Sequence, residues 1–267
     1  MFRRAFASLA FSMLALGISA VHAETDTLAR IQQTKKIRIA IDPNVPPWSY
    51  KNDKLEMTGS EYETAELLAK DMGVQLEMVT TNGANRIPLL MTDKTDLVVA
   101  AMTITPEREK VVSFSRPYSG TTSVVAGPKG MEVKTLKDLV GKKVAVARGT
   151  ISDTDLTKMA PAGLEVVRFD DESTTMTSVL SGQLDFIAQS TTLNEAINRR
   201  DPSKQLETKI VLRNSLHGMA MRKDDVKLKA WVDQWIKTNM ENGKLQAIFK
   251  KHQNLELPAE VVKAAKS

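Results

Sequence analysis

The sequence predicts an α/β fold of two lobes, each a mostly parallel sheet flanked by helices. Short apolar runs typical of buried strands alternate with amphipathic stretches of helical period, the pattern of parallel sheets covered by helices. A turn cluster, Gly127-Pro128-Lys129-Gly130, divides this alternation into two blocks. In each block a polar turn follows a strand, at the edge of the sheet where such folds bind ligands.

The first block is expected to alternate strands with helices. Its predicted strands span residues 37–41, 75–79, 97–102 and 121–126. Its predicted helices span residues 62–72, 85–91 and 106–112. The helix over 62–72 is the best defined, because Ala65, Leu68, Ala69 and Met72 form one apolar stripe and Gly73 follows as a terminator.

The second block repeats the alternation. Its predicted strands span residues 143–147, 164–169, 186–189, 210–212 and 219–222. Its predicted helices span residues 136–140, 153–159, 174–180 and 193–199. A helical stretch from Val226 to about Lys251 follows, with a break expected at Asn242-Gly243, and residues 259–267 are expected to fray.

The segment over residues 96–118, DLVVAAMTITPEREKVVSFSRPY, is the most informative. After its apolar run, Thr105 can cap a helix and Pro106 suits the first helical position. Arg108 then lies in the first turn, where a cation opposes the helix dipole unless an anion joins it. The hydroxyls of Thr103 and Thr105, the free N–H groups and the Arg108 fork would together bind a carboxylate or phosphate. The alternative is that Arg108 points sideways to a surface acid.

A second turn, Arg148-Gly149-Thr150-Ile151-Ser152, follows the predicted strand over 143–147. Gly149 permits a tight turn, and the N–H groups from Thr150 onward would point out of a helix start. Ordinary strand-to-helix turn chemistry is the alternative. Two anion-friendly turns in different blocks indicate a ligand held between two lobes.

Composition and charge exclude several classes of protein. Residues 1–23 are typical of a cleavable secretory signal, with two arginines before an apolar run. The remainder has 35 basic and 32 acidic residues, a net charge of +3. So small a positive charge does not indicate nucleic-acid binding. The chain has no cysteine, and its histidines lack metal-ligand spacing, so neither a disulfide nor a metal site is indicated. No cofactor or common catalytic motif is indicated either.

Several motifs together resemble the periplasmic solute-binding proteins of polar amino-acid ABC transporters, family 3. They fall in that family's order and spacing over nearly the whole chain after the signal. They are PPWSY from Pro46, GSEYETAELLAKDMG from Gly59, ANRIPLL from Ala84, TITPER from Thr103, FSRPY from Phe114, GKKVAVARGT from Gly141, SGQLDF from Ser181 and MRKDD from Met221. The resemblance implies the type II periplasmic-binding-protein fold, whose lobes are joined by two crossing strands, here near residues 123–127 and 217–221. One lobe would hold residues 24–126 plus 217–267 and the other residues 127–216.

The resemblance also implies ligand-binding residues. The family's arginine that binds the α-carboxylate matches Arg108, and the assisting threonine matches Thr103. Arg86 matches an arginine that meets a ligand carboxylate in the acidic-amino-acid branch, although a surface role is the alternative. Trp48 is a candidate for lining the pocket, and core packing is its alternative. Ala101, Thr150 and Ile151 complete the expected contacts.

One departure from the family affects ligand identity. The aspartate that usually binds the ligand's α-ammonium is replaced by Ser190. Either another acid holds the ammonium or the ligand has none, and the candidate substitutes are Asp42, Asp170, Glu172 and Glu195. The usual aromatic clamp is also missing, because its position holds Val45.

The resemblance implies a monomer in the periplasm that delivers a small polar amino acid or related carboxylate to an inner-membrane ABC permease. Two alternatives stay open. One is a cyclohexadienyl dehydratase, although that branch's glutamate is Leu193 here, so that Glu195 or Glu172 would have to serve. The other is a sensor that presents its closed form to a receptor.

Overall fold

The computed structural model describes residues 26–267, so the signal expected at residues 1–23 lies outside the described part of the chain. The strands are β1 (Lys36–Ile41), β2 (Asn44–Val45), β3 (Ser49–Lys51), β4 (Met57–Thr58), β5 (Gln75–Thr80), β6 (Leu97–Val98), β7 (Ser113–Phe114), β8 (Ser119–Pro128), β9 (Lys143–Ala147), β10 (Glu165–Phe169), β11 (Phe186–Ser190), β12 (Leu206–His217) and β13 (Ala220–Met221). The helices are α1 (Thr27–Thr34), α2 (Ser60–Met72), α3 (Arg86–Met91), α4 (Pro106–Glu109), α5 (Ile151–Met159), α6 (Glu172–Leu180), α7 (Thr191–Arg200), α8 (Val226–Glu241), α9 (Lys244–Gln253) and α10 (Ala259–Lys266), with a 3-10 turn at Leu136–Leu139.

Two five-stranded sheets organise the chain. The first has the order β5-β1-β6-β13-β7 and the second the order β10-β9-β11-β8-β12. Within them β1 is parallel to β5 and β6, and β9 is parallel to β10 and β11. The pairings of β8 and β13 are antiparallel. The two sheets with their helices confirm the predicted α/β arrangement in two lobes.

The chain passes between the two sheets twice. It leaves the first sheet after β7 and enters the second at β8, and it returns between the end of β12 and β13. β8 and β12 pair from Ser119 and His217 at one end to Pro128 and Leu206 at the other. The first crossing therefore lies at residues 115–118, a little before the expected position near 123–127.

Each lobe is built on its own apolar core. Ile37, Ile39 and Ile41 of β1 are fully buried in the cluster that also holds the stripe of α2. A separate cluster in the second sheet includes Val124 and Ile187. Burial of β1 and β9 on both faces explains why their sequences are apolar without alternation.

Two predicted elements are shorter in the structure. The strand expected over 97–102 ends at Val98. It could not have reached residue 102, because Ala101 adopts a left-handed backbone with φ of 45°. The helix expected over 106–112 is the single turn α4. Since the residues after β6 are still buried, this apolar run forms the floor of a cleft instead of extending the sheet.

The C-terminal segment contradicts the expectation of fraying. Residues 259–266 form α10, and Val261 and Ala265 are fully buried in the core of the first lobe. Arg116 donates to the carbonyl of Ala265 at 2.8 Å and ties the helix down. The expected break at Asn242-Gly243 is confirmed, because α8 ends at Glu241 and α9 begins at Lys244.

The structure adds elements that the sequence reading did not predict. The segment 44–58 forms a small three-stranded sheet, β2-β3-β4, and α1 precedes β1. β12 is also much longer than the strand expected over 210–212. Among residues 26–267, no helix has the length and apolarity that a membrane span requires.

Candidate functional site

A cavity lies between the two lobes, beside the carboxyl ends of β1, β6, β9 and β11. Its volume is about 80 Å³, whereas a single buried water needs roughly 10–15 Å³ by the same measure. The cavity therefore has room for a small molecule. Nine residues expected to bind the ligand line it, namely Asp42, Trp48, Arg86, Ala101, Thr103, Arg108, Thr150, Ile151 and Ser190. Thr105, Asp170 and Glu195, which the sequence also suggested, are not among the lining residues.

Arg108 is held in position by backbone carbonyls from both lobes. Its Nη1 donates to the carbonyl of Thr103 at 2.9 Å, and its Nη2 donates to that of Gly149 at 3.3 Å. The hydroxyl of Thr105 accepts the Arg108 N–H, as the predicted cap requires. Because a guanidinium has five N–H donors, the fork retains capacity for an anion. Burial and the charge of Arg86 lower the pKa of Arg108 to about 9, which leaves it charged at neutral pH.

Arg86 is buried, not at the surface. It begins α3, its Nη1 donates to Ala100 at 3.0 Å, and its Nε donates to Gly83 at 3.2 Å. Its Nη2 reaches the carbonyl of Gly149 at 3.4 Å, which Arg108 also contacts. Burial lowers the pKa of Arg86, and nearby carboxyls, led by Asp42, oppose that effect. Two cations thus share one side of the cavity.

Two of the four candidate acids lie at this cavity. Asp42 follows β1 and accepts the N–H of Asn44 at 3.1 Å, and Glu172 opens α6 in the other lobe. Burial raises the pKa of Asp42 to about 6, and burial together with the Asp42 charge raises that of Glu172 to about 8. The other two acids, Asp170 and Glu195, are exposed beside surface arginines.

Glu61 is a buried group of the site that sequence reasoning missed. One of its oxygens accepts the N–H of Ala101 at 2.9 Å and also the hydroxyl of Tyr118. Burial raises the pKa of Glu61 to about 7. The sequence did carry a signal, because Glu61 lies on the same helical stripe as Ala65 and Leu68, where a carboxylate is unexpected. Its contacts hold Ala101 in its left-handed conformation at the floor of the cavity.

Trp48 connects the lobes. It is 2% exposed, and its indole N–H donates to the hydroxyl of Thr192 in α7 at 3.0 Å. Thr192 in turn lies 3.1 Å from the hydroxyl of Ser190. The ring of His217 packs edge-on against Trp48, with centroids 5.3 Å apart. Burial and the nearby arginines lower the pKa of His217 to about 3, so it is neutral.

The lobes also contact each other directly around the cavity. The backbones of Gly83 and Gly149 approach so closely that a Cβ on Gly149 would lie 2.8 Å from the Cα of Ala84. Asn82 donates to the carbonyl of Asp170 at 3.2 Å. These contacts place the molecule in a closed arrangement. Across residues 26–267, no group of three or more acidic or histidine side chains is placed to hold a metal ion.

The chain belongs to the bacterial extracellular solute-binding proteins, family 3, whose family model matches residues 37–254. It is 30% identical to the L-arginine-binding protein of Pseudomonas aeruginosa over 228 residues, covering 82% of this chain and 88% of that one. It is 28% identical to the L-cystine-binding protein TcyJ of Escherichia coli K12, covering 86% of each.

Solved structures agree with this membership. A mutant of ArgBP from T. maritima superposes with a TM-score of 0.79 at 29% identity, and the match covers 86% of this chain and 100% of that one. The solute receptor for L-cysteine of Neisseria gonorrhoeae also gives a TM-score of 0.79 at 29% identity, covering 84% of this chain and 92% of that one. The fold is that of the type II periplasmic binding proteins.

Proposed function

We propose that this protein is the periplasmic substrate-binding component of an ABC transporter and captures a small polar amino acid or related carboxylate by lobe closure. The observation that carries the proposal is Arg108, a charged guanidinium fixed by carbonyls of both lobes at a closed cavity. Relatives named for arginine, cystine, glutamine and histidine binding support the amino-acid class.

The roles within the site follow from this arrangement. Arg108 binds the ligand carboxylate, and Thr103 and the turn at Thr150 and Ile151 assist it. Arg86 and Ser190 contact the rest of the ligand, and Trp48 forms the wall. The closed form of a monomer is then presented to an inner-membrane permease. Because β8 lies in the second sheet, we place the lobe boundary at the crossing over residues 115–118, not at the expected residues 126–127.

We propose that the protein binds its ligand and does not catalyse a reaction on it. The dehydratase alternative needs a proton donor at Glu195 or Glu172. Glu195 is exposed and pairs with Arg199, whereas Glu172 lines the cavity, so that the assay below decides between the two functions. The position where that enzyme branch has its glutamate is the apolar Leu193. Incubation of the protein with prephenate, followed by absorbance detection of phenylpyruvate, is expected to give no product above the buffer rate. Sustained product formation would refute the proposal.

The direct test is a ligand panel on residues 24–267. We expect a proteinogenic amino acid to raise the melting temperature by roughly 8–16 °C when it is present at ~1,000 times its dissociation constant. Small-angle scattering of the same samples should show that the particle contracts. A panel of amino acids and amine-free carboxylates that gives no shift at all would overturn the proposed function.

Lobe closure itself can be tested at Gly83. A Cβ at this position would lie 2.7 Å from the carbonyl oxygen of Arg148, across the cleft. Gly83→Ala is therefore expected to oppose the closed state and weaken ligand binding about 10-fold, within the cost of overpacking. The melting temperature of the ligand-free protein should hardly change. Calorimetric titration with the best ligand of the panel measures the effect.

The matched control is Gly130→Ala, because a Cβ on Gly130 would meet no atom within 4 Å. This variant should bind as tightly as wild type. Equal affinities of the two variants would mean that the ligand does not require the closed contact between Gly83 and Arg148.

A further inference from the structure

The charged groups around the cavity are divided between its sides. Arg86 and Arg108 both donate to the carbonyl of Gly149 and form a cationic region. Asp42 after β1 and Glu172 at the start of α6 line the same cavity and form an acidic region, with one carboxyl from each lobe. After burial, the charge of Asp42 is the largest influence on the pKa of Glu172.

The acidic region raises the free energy of the closed form. Asp42 and Glu172 repel each other when both are ionised, and both are withdrawn from water. The raised pKa values of the two carboxyls, about 6 for Asp42 and about 8 for Glu172, express this cost. Closure of the lobes is therefore favourable only when a proton or another positive charge offsets the repulsion between the carboxyls of Asp42 and Glu172.

The fold does not supply that charge directly. Within residues 26–267, the hydrogen bonds of the Arg86 guanidinium go to the backbone carbonyls of Gly83, Ala100 and Gly149, not to a carboxylate. The oxygen Oε2 of Glu172 is buried and has no hydrogen-bond partner among the described residues. A buried unpaired oxygen that lines a ligand cavity points to a donor that arrives with the ligand.

Helix capping does not account for Glu172 either. An acid in the first turn suits the helix dipole, but Asp171 already provides the cap by accepting the N–H of Thr174 at 2.7 Å. The Asp171 charge also disfavours a second carboxylate beside it. A glutamine at residue 172 would serve the helix equally well and avoid the repulsion. The carboxyl is therefore best explained by the cavity that it faces.

We infer that Asp42 and Glu172 together bind a cationic group of the ligand, an ammonium or guanidinium, and close the lobes over it. This inference rests on the proposed function and narrows its ligand class to carboxylic acids that also carry a cation. The carboxylate binds Arg108 and the cation lies between the two acids. The pair takes over the role that Ser190 has lost, with one acid in each lobe, so that closure and recognition of the cation are a single event.

The test compares ligands with and without a cation. L-arginine, L-histidine, L-glutamine and L-glutamate are titrated into the full protein beside the amine-free glutarate, 2-oxoglutarate and succinate. At least one amino acid should bind at least 100-fold more tightly than every amine-free acid. For that amino acid, Asp42→Asn and Glu172→Gln should each weaken binding about 10-fold or more, as expected when one partner of a buried charge pair is truncated.

The matched controls neutralise an acidic residue outside the cavity. Asp53→Asn removes an exposed aspartate of the same lobe as Asp42, and Glu195→Gln removes an exposed glutamate of the same lobe as Glu172. Both should bind as wild type does. The ligand-free Glu172→Gln protein should melt at or above the wild-type temperature, because the glutamine amide is not repelled by the charges of Asp42 and Asp171. A lower melting temperature would indicate a structural role and count against the inference.

The remaining outcomes separate the inference from the proposed function. If glutarate or 2-oxoglutarate binds as tightly as any amino acid, or if both variants keep wild-type affinity, the cation site is wrong while the carboxylate-binding function stands. If no acid in the panel binds the wild-type protein, the proposed function fails and the inference fails with it.

Discussion

Replacement of Arg108 by glutamine is expected to reduce affinity for the amino-acid ligand by at least about 30-fold. Loss of one partner from a buried, hydrogen-bonded charge pair costs ~2–5 kcal/mol, and each ~1.4 kcal/mol is a factor of ten in affinity. The effect is large because Arg108 lies in a cavity between the lobes, where the bound carboxylate would lose a guanidinium fork that the carbonyls of Thr103 and Gly149 hold in position. Calorimetric titration of both proteins measures it.

Two further variants make the test specific. Arg199→Gln removes an arginine whose side chain is exposed on α7 and should leave affinity unchanged. Arg108→Lys keeps the charge but not the planar fork and should give an intermediate loss. If Arg108→Gln binds within threefold of wild type, the carboxylate is bound elsewhere, and Arg86 becomes the first residue to test.

The largest expected effect on stability comes from Asp96, whose side chain is fully buried at the start of β6. It accepts the backbone N–H of Arg38 at 2.9 Å and the side chain of Arg38 at 2.6 Å, and it also pairs with Arg30 of α1. Arg222 lies 3.9 Å away. Asp96 therefore joins α1, β1 and the segment after β13 through one carboxylate.

Asp96→Asn should lower the free energy of unfolding by about 3 kcal/mol, because it leaves several arginines without their buried counter-charge. For a chain of this length the melting temperature should fall by roughly 6–12 °C. Asp93→Asn is the matched control: its carboxylate meets Arg38 and Arg222 but its side chain is 71% exposed, so it should lose less than about 1 kcal/mol. Equal losses in the two variants would contradict the role of burial.

The pH dependence of this difference has a definite sign. Burial alone would raise the pKa of Asp96, but hydrogen bonds from Arg38 and Arg30 hold it below its ordinary value. A depressed pKa contributes stability above the unfolded pKa, about 3.9, and that stability is lost as the pH falls through the folded value. The melting temperatures of wild type and Asp96→Asn should therefore differ most near neutrality, begin to approach each other below about pH 4, and coincide only below the folded pKa of Asp96.

Much of the fold could be predicted because apolar runs and helical stripes repeat regularly along the chain. The stripe of α2 and the buried β1 are examples, and both follow from local sequence. The small sheet β2-β3-β4 was missed because its strands are only two or three residues long and show no periodicity. The burial of α10 depends on contacts with the rest of the first lobe, which no local pattern reveals.

The residues of the site likewise include some that the local sequence reveals and some that depend on the folded structure. Arg108 could be found from the sequence because a cation in the first turn of a helix conflicts with the helix dipole, and such a conflict is visible locally. Glu61 could be suspected only from a charge on an apolar stripe. The choice among Asp42, Asp170, Glu172 and Glu195 could not be made at all, since it depends on which carboxyls the closed lobes bring together.

The bond between Trp48 and Thr192 gives the protein an intrinsic optical reporter. Trp48 bridges the lobes, whereas Trp231 and Trp235, which complete the three tryptophans, lie together on α8 in the first lobe. Opening would strip the Trp48 indole of its hydrogen-bond acceptor and expose it to water, while the α8 pair keeps its surroundings. A shift in tryptophan emission therefore follows the opening and closing of the lobes in real time without any attached dye.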